Sequence, residues 1–502
     1  MAYCLGLDIG SSSIKACLLE TEQGLAVASA TSPSSELPID APQSGFAEQH
    51  PHTWYEHVVR ATRMCLEQAG VDGADVAAIG VSYQMHGLVC IDAQGEVLRP
   101  AIIWCDSRAV PYGERALQAL GAERCLQDLL NSPGNFTASK LAWVKEQQPE
   151  IYAAIDKIML PGDWIAYRLT DEATTTASGL SEGILWNIRE DRVADMVLDH
   201  FGFDPQLIPR LVPGFGEQGR LSDRAAQELG LRAGTPVAYR GGDQPNNALS
   251  LNVLQPGELA ATAGTSGVVY GVSDQAQADP HQRVNTFVHV NHSADAPRYG
   301  VLLCVNGTGI ASSWLRRNTC SVGGEALDYP AMNDAAAAAP IGSDGLILLP
   351  FGNGAERTLG NRNMGAAVLG LDFNRHQRGH LLRAAQEGIV FAMQYGIDVM
   401  HGMGVPINTV RAGWANSFLS PLFRQAFATT SNACLELYDS DGAQGAARGA
   451  GLGAGIYATA QEAFASLQQR AVIEPEAQHR DAYMEAYARW RQALARTLAV
   501  TE

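Results

Sequence analysis

The sequence predicts an α/β protein built from two copies of one domain that face each other across a cleft. Three observations carry that expectation. Near the start, the apolar runs Tyr3 to Ile9 and Ile14 to Leu19 flank a turn of small residues, Gly10-Ser11-Ser12-Ser13. Halfway along, the plan restarts with Glu258 to Ala263, the turn Gly264-Thr265-Ser266-Gly267, and Val268 to Val272. In each half a helical stripe and a further strand follow, the order of a mixed sheet with a crossover helix. Duplication of this kind places a ligand in the cleft between the copies.

The elements follow in order. Tyr3 to Ile9 and Ile14 to Leu19 read as a hairpin, and Leu25 to Ala30 as a third strand. Between Pro51 and Ala69 the apolar residues Trp54, Val58, Ala61 and Cys65 share one helical face. Val76 to Val81 is a short buried strand, and Pro236 to Tyr239 another. In the second half Leu382, Ala385, Ile389, Met393 and Met400 trace a helix from about His380 to Met403. Ile407 to Ala412 reads as a strand, Leu422 to Thr430 as a helix and Cys434 to Tyr438 as a strand; a Gly/Ala-rich helix starts after Asp441-Gly442. A polar-faced helix over Glu474 to Leu498 closes the chain. The boundary between the copies falls near Gln244 to Pro256.

Composition narrows the function. With 502 residues, 46% of them apolar and 18% charged, the chain has the make-up of an ordinary globular protein. A formal net charge of −18 repels nucleic-acid backbones and anionic membranes, so neither is an expected partner. That charge is compatible with a homodimer. The nine cysteines include no Cys-x-x-Cys spacing and read as reduced thiols packed as small hydrophobes. The N-terminus lacks a basic start and already carries Asp8, unlike a secretory signal, and no stretch is long and apolar enough to span a bilayer. A cytoplasmic protein is expected.

Candidate chemistry begins at the two turns. Small residues let backbone N–H groups approach an anion, and Ser and Thr hydroxyls add donors. Asp8 cannot meet a phosphate directly but can hold a hydrated Mg²⁺ that bridges phosphates. Either turn alone reads more readily as an ordinary hairpin; their recurrence at one place in two copies reverses that and favours paired phosphate clasps. The lysines are Lys15, Lys140, Lys145 and Lys157 alone, and no Gly-x-x-x-x-Gly-Lys-Ser/Thr occurs. That excludes a P-loop kinase and a catalytic lysine in the second half. Gly449-Ala450-Gly451-Leu452-Gly453-Ala454 matches a dinucleotide fingerprint, but it lies inside a small-residue helix instead of following a strand, which argues against an oxidoreductase. Asp243, in Arg240-Gly241-Gly242-Asp243-Gln244, stands at a strand end where α/β sheets bind ligands. It suits a general base or, equally on local grounds, a helix cap. Gln84-Met85-His86-Gly87 follows the strand Val76 to Val81 and, with Trp104, Asp106 and Arg108, offers the polar and aromatic groups a polyol needs. A lone His such as His86 is also a common satisfied structural residue.

Together these pieces resemble the FGGY carbohydrate kinases over nearly the whole chain, and within them the xylulose kinases. Gly6-Leu7-Asp8-Ile9-Gly10-Ser11-Ser12-Ser13-Ile14-Lys15 is similar to the family's opening phosphate turn. Gln84-Met85-His86-Gly87, the run Arg99 to Arg108, Gly241-Gly242-Asp243, Gly264-Thr265-Ser266-Gly267, and Leu349-Pro350-Phe351 with Gly354-Ala355-Glu356-Arg357-Thr358 match further blocks in order. The resemblance implies two ribonuclease-H-like (actin-like ATPase) domains, residues 1–247 carrying the sugar side and first clasp and 248–502 the nucleotide side. It implies ATP with Mg²⁺ at Asp8, phosphates held by Gly10, Ser11, Ser12, Lys15, Gly264, Thr265, Ser266 and Gly267, and purine contacts from Gly413 and Asn416. It implies a sugar site of Gln84, Met85, His86, Gly87, Trp104, Asp106 and Gln244. Asp243 would activate a ketopentose hydroxyl, D-xylulose ahead of ribulose, gluconate or glycerol. Gln244 stands where xylulose kinases often carry Asn, as in glycerol kinases. A non-catalytic actin-like ATPase is the remaining alternative, and it has no need of the sugar-side residues or the base.

Overall fold

The computed structural model describes residues 1–322 and 325–500. The first half opens with β1 (Tyr3–Ile9), β2 (Ile14–Glu20) and β3 (Ala26–Ser32), an antiparallel meander. Helix α1 (Pro51–Ala69) crosses over and delivers β4 (Val76–Tyr83) parallel to β1. Pro51 starts α1 where a missing N–H costs nothing, and Gly70, at φ 62°, ends it in the left-handed conformation glycine tolerates. Its buried face, including Trp54, Val58, Ala61 and Cys65, lies on β2 and β3. Full burial of a side chain the size of Val58 contributes about 1.5–3 kcal/mol, and of Ala61 less.

A long excursion then leaves the sheet, with helices α2 (Thr137–Gln147), α3 (Pro161–Thr170) and α4 (Ala177–Glu182). It returns as β5 (Val237–Gly242), parallel to β4, and runs directly into α5 (Asp243–Ser250). The first sheet has the order β5-β4-β1-β2-β3.

The second half repeats the pattern. β6 (Glu258–Ala263), β7 (Gly267–Ser273) and β9 (Tyr299–Val305) form the antiparallel meander, with β8 (Asn285–Val288) added at the edge. After α6 (Thr308–Thr319), the long α7 (Arg378–Gly402) plays the part of α1. β10 (Thr409–Gly413), α8 (Pro421–Ser431) and β11 (Cys434–Tyr438) follow. Then come α9 (Gly442–Gly453) and an edge strand, β12 (Gln469–Ile473). The second sheet reads β8-β9-β7-β6-β10-β11-β12, so its inner five strands repeat the order of the first sheet.

Helices α5 and α9 tie the halves together. Although α9 belongs to the second half in sequence, it lies on the first sheet, against β1, β2, β4 and β5, and α5 packs on α9. Glycine on both partners allows the approach. A Cβ on Gly6 would stand 1.9 Å from the Ala443 carbonyl oxygen, one on Gly80 2.0 Å from that of Ala446, and one on Gly453 1.8 Å from that of Ala238. The fingerprint-like run Gly449 to Ala454 is therefore a packing surface. The expected cut between residues 247 and 248 falls inside α5, which bridges the two copies.

Candidate active site

Parallel strands β1, β4 and β5 end on one edge of the first sheet, and register aligns them there. Asp8 pairs with Ser82, and Ser82 with Gly241. Ser82 Oγ donates to Asp8 Oδ1 at 2.9 Å. Lys15 is opposite Asp8 on β2. Burial raises the Asp8 carboxyl above the usual range, Asp441 adds to that, and Lys15 and the Ser82 hydroxyl oppose it. The start of α9 closes in from above: a Cβ on Gly442 would lie 2.5 Å from Asp8 Oδ2. Asp441 caps that helix by accepting from Gln444 N, and Asn246 Nδ2 on α5 donates to the Gly442 carbonyl at 2.9 Å. The carboxylate thus meets a helix N-terminus, where aligned peptide dipoles favour negative charge.

Asp243 is the first residue of α5, and Gly242 occupies the cap position with no side-chain cap bond. Its carboxyl is pushed up to about 7, first by burial and then by the charge of Asp8. Two contacts account for the glycine before it. A Cβ on Gly242 would stand 2.6 Å from Met85 Cγ and 3.3 Å from Glu182 Oε1.

The segment after β4, expected to face a sugar, lies beside the residue before Asp243: Met85 Cγ is the atom a Cβ on Gly242 would meet. Gln84 is buried, and neither polar atom of its side chain has a partner. His86 adopts φ 62°, held by its N–H donating to Glu182 Oε2 at 2.9 Å and by Lys140 Nζ donating to its carbonyl at 2.7 Å. Its ring stacks edge-on to Phe136 (4.8 Å) and tilted to Phe287 (5.4 Å). Burial, with help from Lys140, lowers its pKa to about 3, so the imidazole is neutral. Gly87 is needed because a Cβ would meet Pro161 Cγ at 2.6 Å. Trp104 is half exposed, and its indole N–H donates to Ser11 Oγ at 3.3 Å, joining this side to the first clasp.

One expected ligand has another occupation. Asp106 is fully buried, paired through both oxygens with Arg108 and accepting from the Ala47 N–H at 2.6 Å. In this structure its carboxylate holds its own turn. Glu182 was not legible beforehand: it sits at the end of α4, far from the motif in sequence, and its Oε1 has no partner.

The second clasp, Gly264 to Gly267, joins β6 to β7. The N–H of Gly309, in the first turn of α6, donates to the carbonyl oxygens of Gly264 (2.8 Å) and Thr265 (3.1 Å), and Ser266 lies beside Cys304. A cavity of about 550 Å³ extends from this clasp between α6, α7 and the start of α8, lined by Thr265, Ser313, Ala385, Gln386, Asn416 and Ser417 among others. Asn416 is thus in the wall. Gly413 ends β10 near the Ser440 carbonyl and is not in that lining. The small-residue run Asn306 to Gly309 was a local signal for the clasp's support; Gln386 reaches the wall only through tertiary packing.

Comparison with known proteins agrees with this geometry. The N-terminal domain of the FGGY family of carbohydrate kinases matches residues 3–250 and its C-terminal domain residues 259–458. The chain belongs to the FGGY family of carbohydrate kinases. This FGGY kinase is 31% identical to the xylulose kinase of Escherichia coli K12, across 95% of this chain and 96% of that one. A xylulose kinase structure from Brucella ovis superposes with a TM-score of 0.87 at 26% identity, covering 100% of both chains. A gluconate kinase from Lactobacillus acidophilus shares the fold at TM-score 0.87 and 23% identity, across 99% of this chain and 98% of that one. The FGGY kinase is therefore a phosphotransferase with the two-domain actin-like ATPase fold, acting on a carbohydrate with ATP as the family's donor.

Proposed function

We propose that this kinase transfers the γ-phosphoryl group of ATP to the terminal hydroxyl of D-xylulose, giving D-xylulose 5-phosphate. The observation that carries the reading is the position of Asp243. It sits at the strand-edge cleft beside the first clasp, with a carboxyl pushed up to about 7 and a sugar-side wall of unpaired Gln84 and neutral His86 close by. Asp243 accepts the hydroxyl proton as the sugar oxygen bonds to the γ-phosphorus. The bond from that phosphorus to the bridging oxygen breaks, and ADP leaves. Positioning and charge neutralisation supply most of such catalysis.

Gly10, Ser11, Ser12 and Lys15 on one side, and Gly264, Thr265, Ser266 and Gly267 on the other, hold the phosphates. The base enters the cavity at Asn416, and Gly413 shapes the strand end behind it. Met85, Gly87, Trp104 and Gln244 complete the sugar side. Among the described residues no three His, Cys, Asp or Glu gather as a metal cage. A Mg²⁺ held through Asp8, water and phosphate oxygens fits that sparse set, since this ion keeps its waters and uses few protein ligands. Bound there, it would neutralise charge on the phosphates.

All nine cysteines are unpaired, and among the described residues no helix is long and apolar enough to cross a membrane; with these we place the enzyme in the cytoplasm. Gln244 supports a second reading, a kinase for glycerol or another polyol or sugar acid. ADP release measured with D-xylulose, D-ribulose, glycerol and D-gluconate separates the readings. The expected result is the highest kcat/KM with D-xylulose. A higher value with another acceptor reassigns the substrate, and ATP hydrolysis indifferent to all four leaves a switch or scaffold.

A further inference from the structure

Arg357 comes from the second half of the chain and reaches the sugar side of the first. Its guanidinium carbon lies 5.6 Å from the centre of the Phe136 ring, the ring that packs against His86. A terminal nitrogen stands 3.4 Å from where a Cβ on Gly134 would be. Its charge is close enough to His86 to lower that residue's proton affinity. The contact set around it is sparse for a cation. Its Nη1 donates to the Gln282 carbonyl at 3.5 Å, and among the described residues no carboxylate comes within ion-pair distance. The adjacent Glu356 turns away and accepts from the Asn306 N–H at 2.9 Å.

The surroundings of Arg357 are apolar on one side, with Phe136 and Phe287 6.0 Å apart. Burial lowers its pKa to about 10, with no acidic neighbour opposing the shift. Arg357 is half-buried, so its fork stays open to water or a ligand while the Phe136 ring covers one face. Five N–H groups in a planar fork are well matched to vicinal oxygens.

We propose that Arg357 completes the acceptor subsite from across the cleft and binds the acceptor oxygens farthest from the hydroxyl that receives phosphate. This rests on the acceptor lying along Asp243, Gln84 and His86 as proposed above. For a ketopentose phosphorylated at its terminal hydroxyl, those oxygens are the C1 hydroxyl and C2 carbonyl. Because Arg357 and His86 belong to different halves, the contact forms a bridge across the cleft that only a sufficiently long acceptor can make. Arg357 is thus a specificity-determining residue.

Calorimetric titration of the full-length enzyme with D-xylulose and with 1-deoxy-D-xylulose tests this, using the parent, R357M and R357K. A hydrogen bond to a charged group supports the expectation that the parent binds D-xylulose about 10-fold or more tightly than the deoxy analogue. In R357M that ratio collapses to about 1, and R357K restores part of it. Unchanged melting temperatures and ATP affinity show that the variants are folded. A parent-like ratio in R357M overturns the proposal. If the parent binds neither ketose, the D-xylulose reading fails on its own. Arg357 is then scored with the acceptor that the panel selects and its analogue lacking the oxygen farthest from the phosphorylated carbon, and an unchanged ratio again overturns it.

Discussion

The carboxylates of Asp8 and Asp243 are electrostatically coupled across the edge of the first sheet: the charge of Asp8 on β1 adds to burial in pushing the Asp243 carboxyl up to about 7. A base must be ionised to accept a proton. With Asp243 as the proposed base, kcat/KM falls on the acid side with a midpoint near pH 7, instead of in the ordinary carboxylate range. Removing the neighbouring charge in Asp8→Asn moves that midpoint to lower pH, whatever the residual rate. A pH profile of kcat/KM checks both statements, and a parent midpoint near pH 4 contradicts them.

The same shift has a consequence for folding. The Asp243 pKa is higher in the folded chain than the 3.8 of an unperturbed carboxyl. Its contribution to stability is present below about pH 4 and is lost as pH rises towards 7. Asp243→Asn removes the buried charge, so the variant melts above the parent at pH 8, and the gap narrows as pH is lowered to 4. Thermal melts across that range decide it; a gap independent of pH contradicts the assignment.

Glu182 holds the loop that presents His86. Glu182→Ala leaves the His86 N–H without its 2.9 Å acceptor, at a backbone conformation with φ 62°. An unmet buried donor costs about 1–3 kcal/mol, which corresponds to about 5- to 150-fold in acceptor KM if the loop must be re-formed on binding. The KM for ATP stays unchanged. Steady-state kinetics with each substrate varied in turn provides the measurement.

On the side proposed for the nucleotide, Ser313 lines the cavity beyond the second clasp. Ser313→Trp places an indole in a space of about 550 Å³. The KM for ATP rises while acceptor affinity measured without nucleotide is unchanged. A loss confined to acceptor binding would show that the cavity serves another purpose.

Much of this was legible because it is local. The two meanders and their turns, the stripe Trp54-Val58-Ala61-Cys65, and the strand before Asp243 are fixed by neighbouring residues, and the structure reproduces them with small shifts of their ends. The run Gly449 to Ala454 looked like a nucleotide fingerprint because close packing and close anion approach both call for glycine; here the partners are Tyr239, Tyr457 and the Ala238 carbonyl. The pairing of Asp106 with Arg108 and Ala47 was not legible because it depends on a turn that sequence alone does not define. Glu182, Phe287, Gln386 and the reach of Arg357 come from elements far apart in the chain. The strand Tyr299–Val305 and the excursion between β4 and β5 also lacked a clean period.

The central claim, that Asp243 is the base for acceptor phosphorylation, is tested most directly by ADP formation in Asp243→Ala with saturating ATP, Mg²⁺ and acceptor. The account predicts acceptor-dependent turnover reduced by about 10²- to 10⁴-fold with ATP affinity retained. Turnover equal to that of the parent would contradict it.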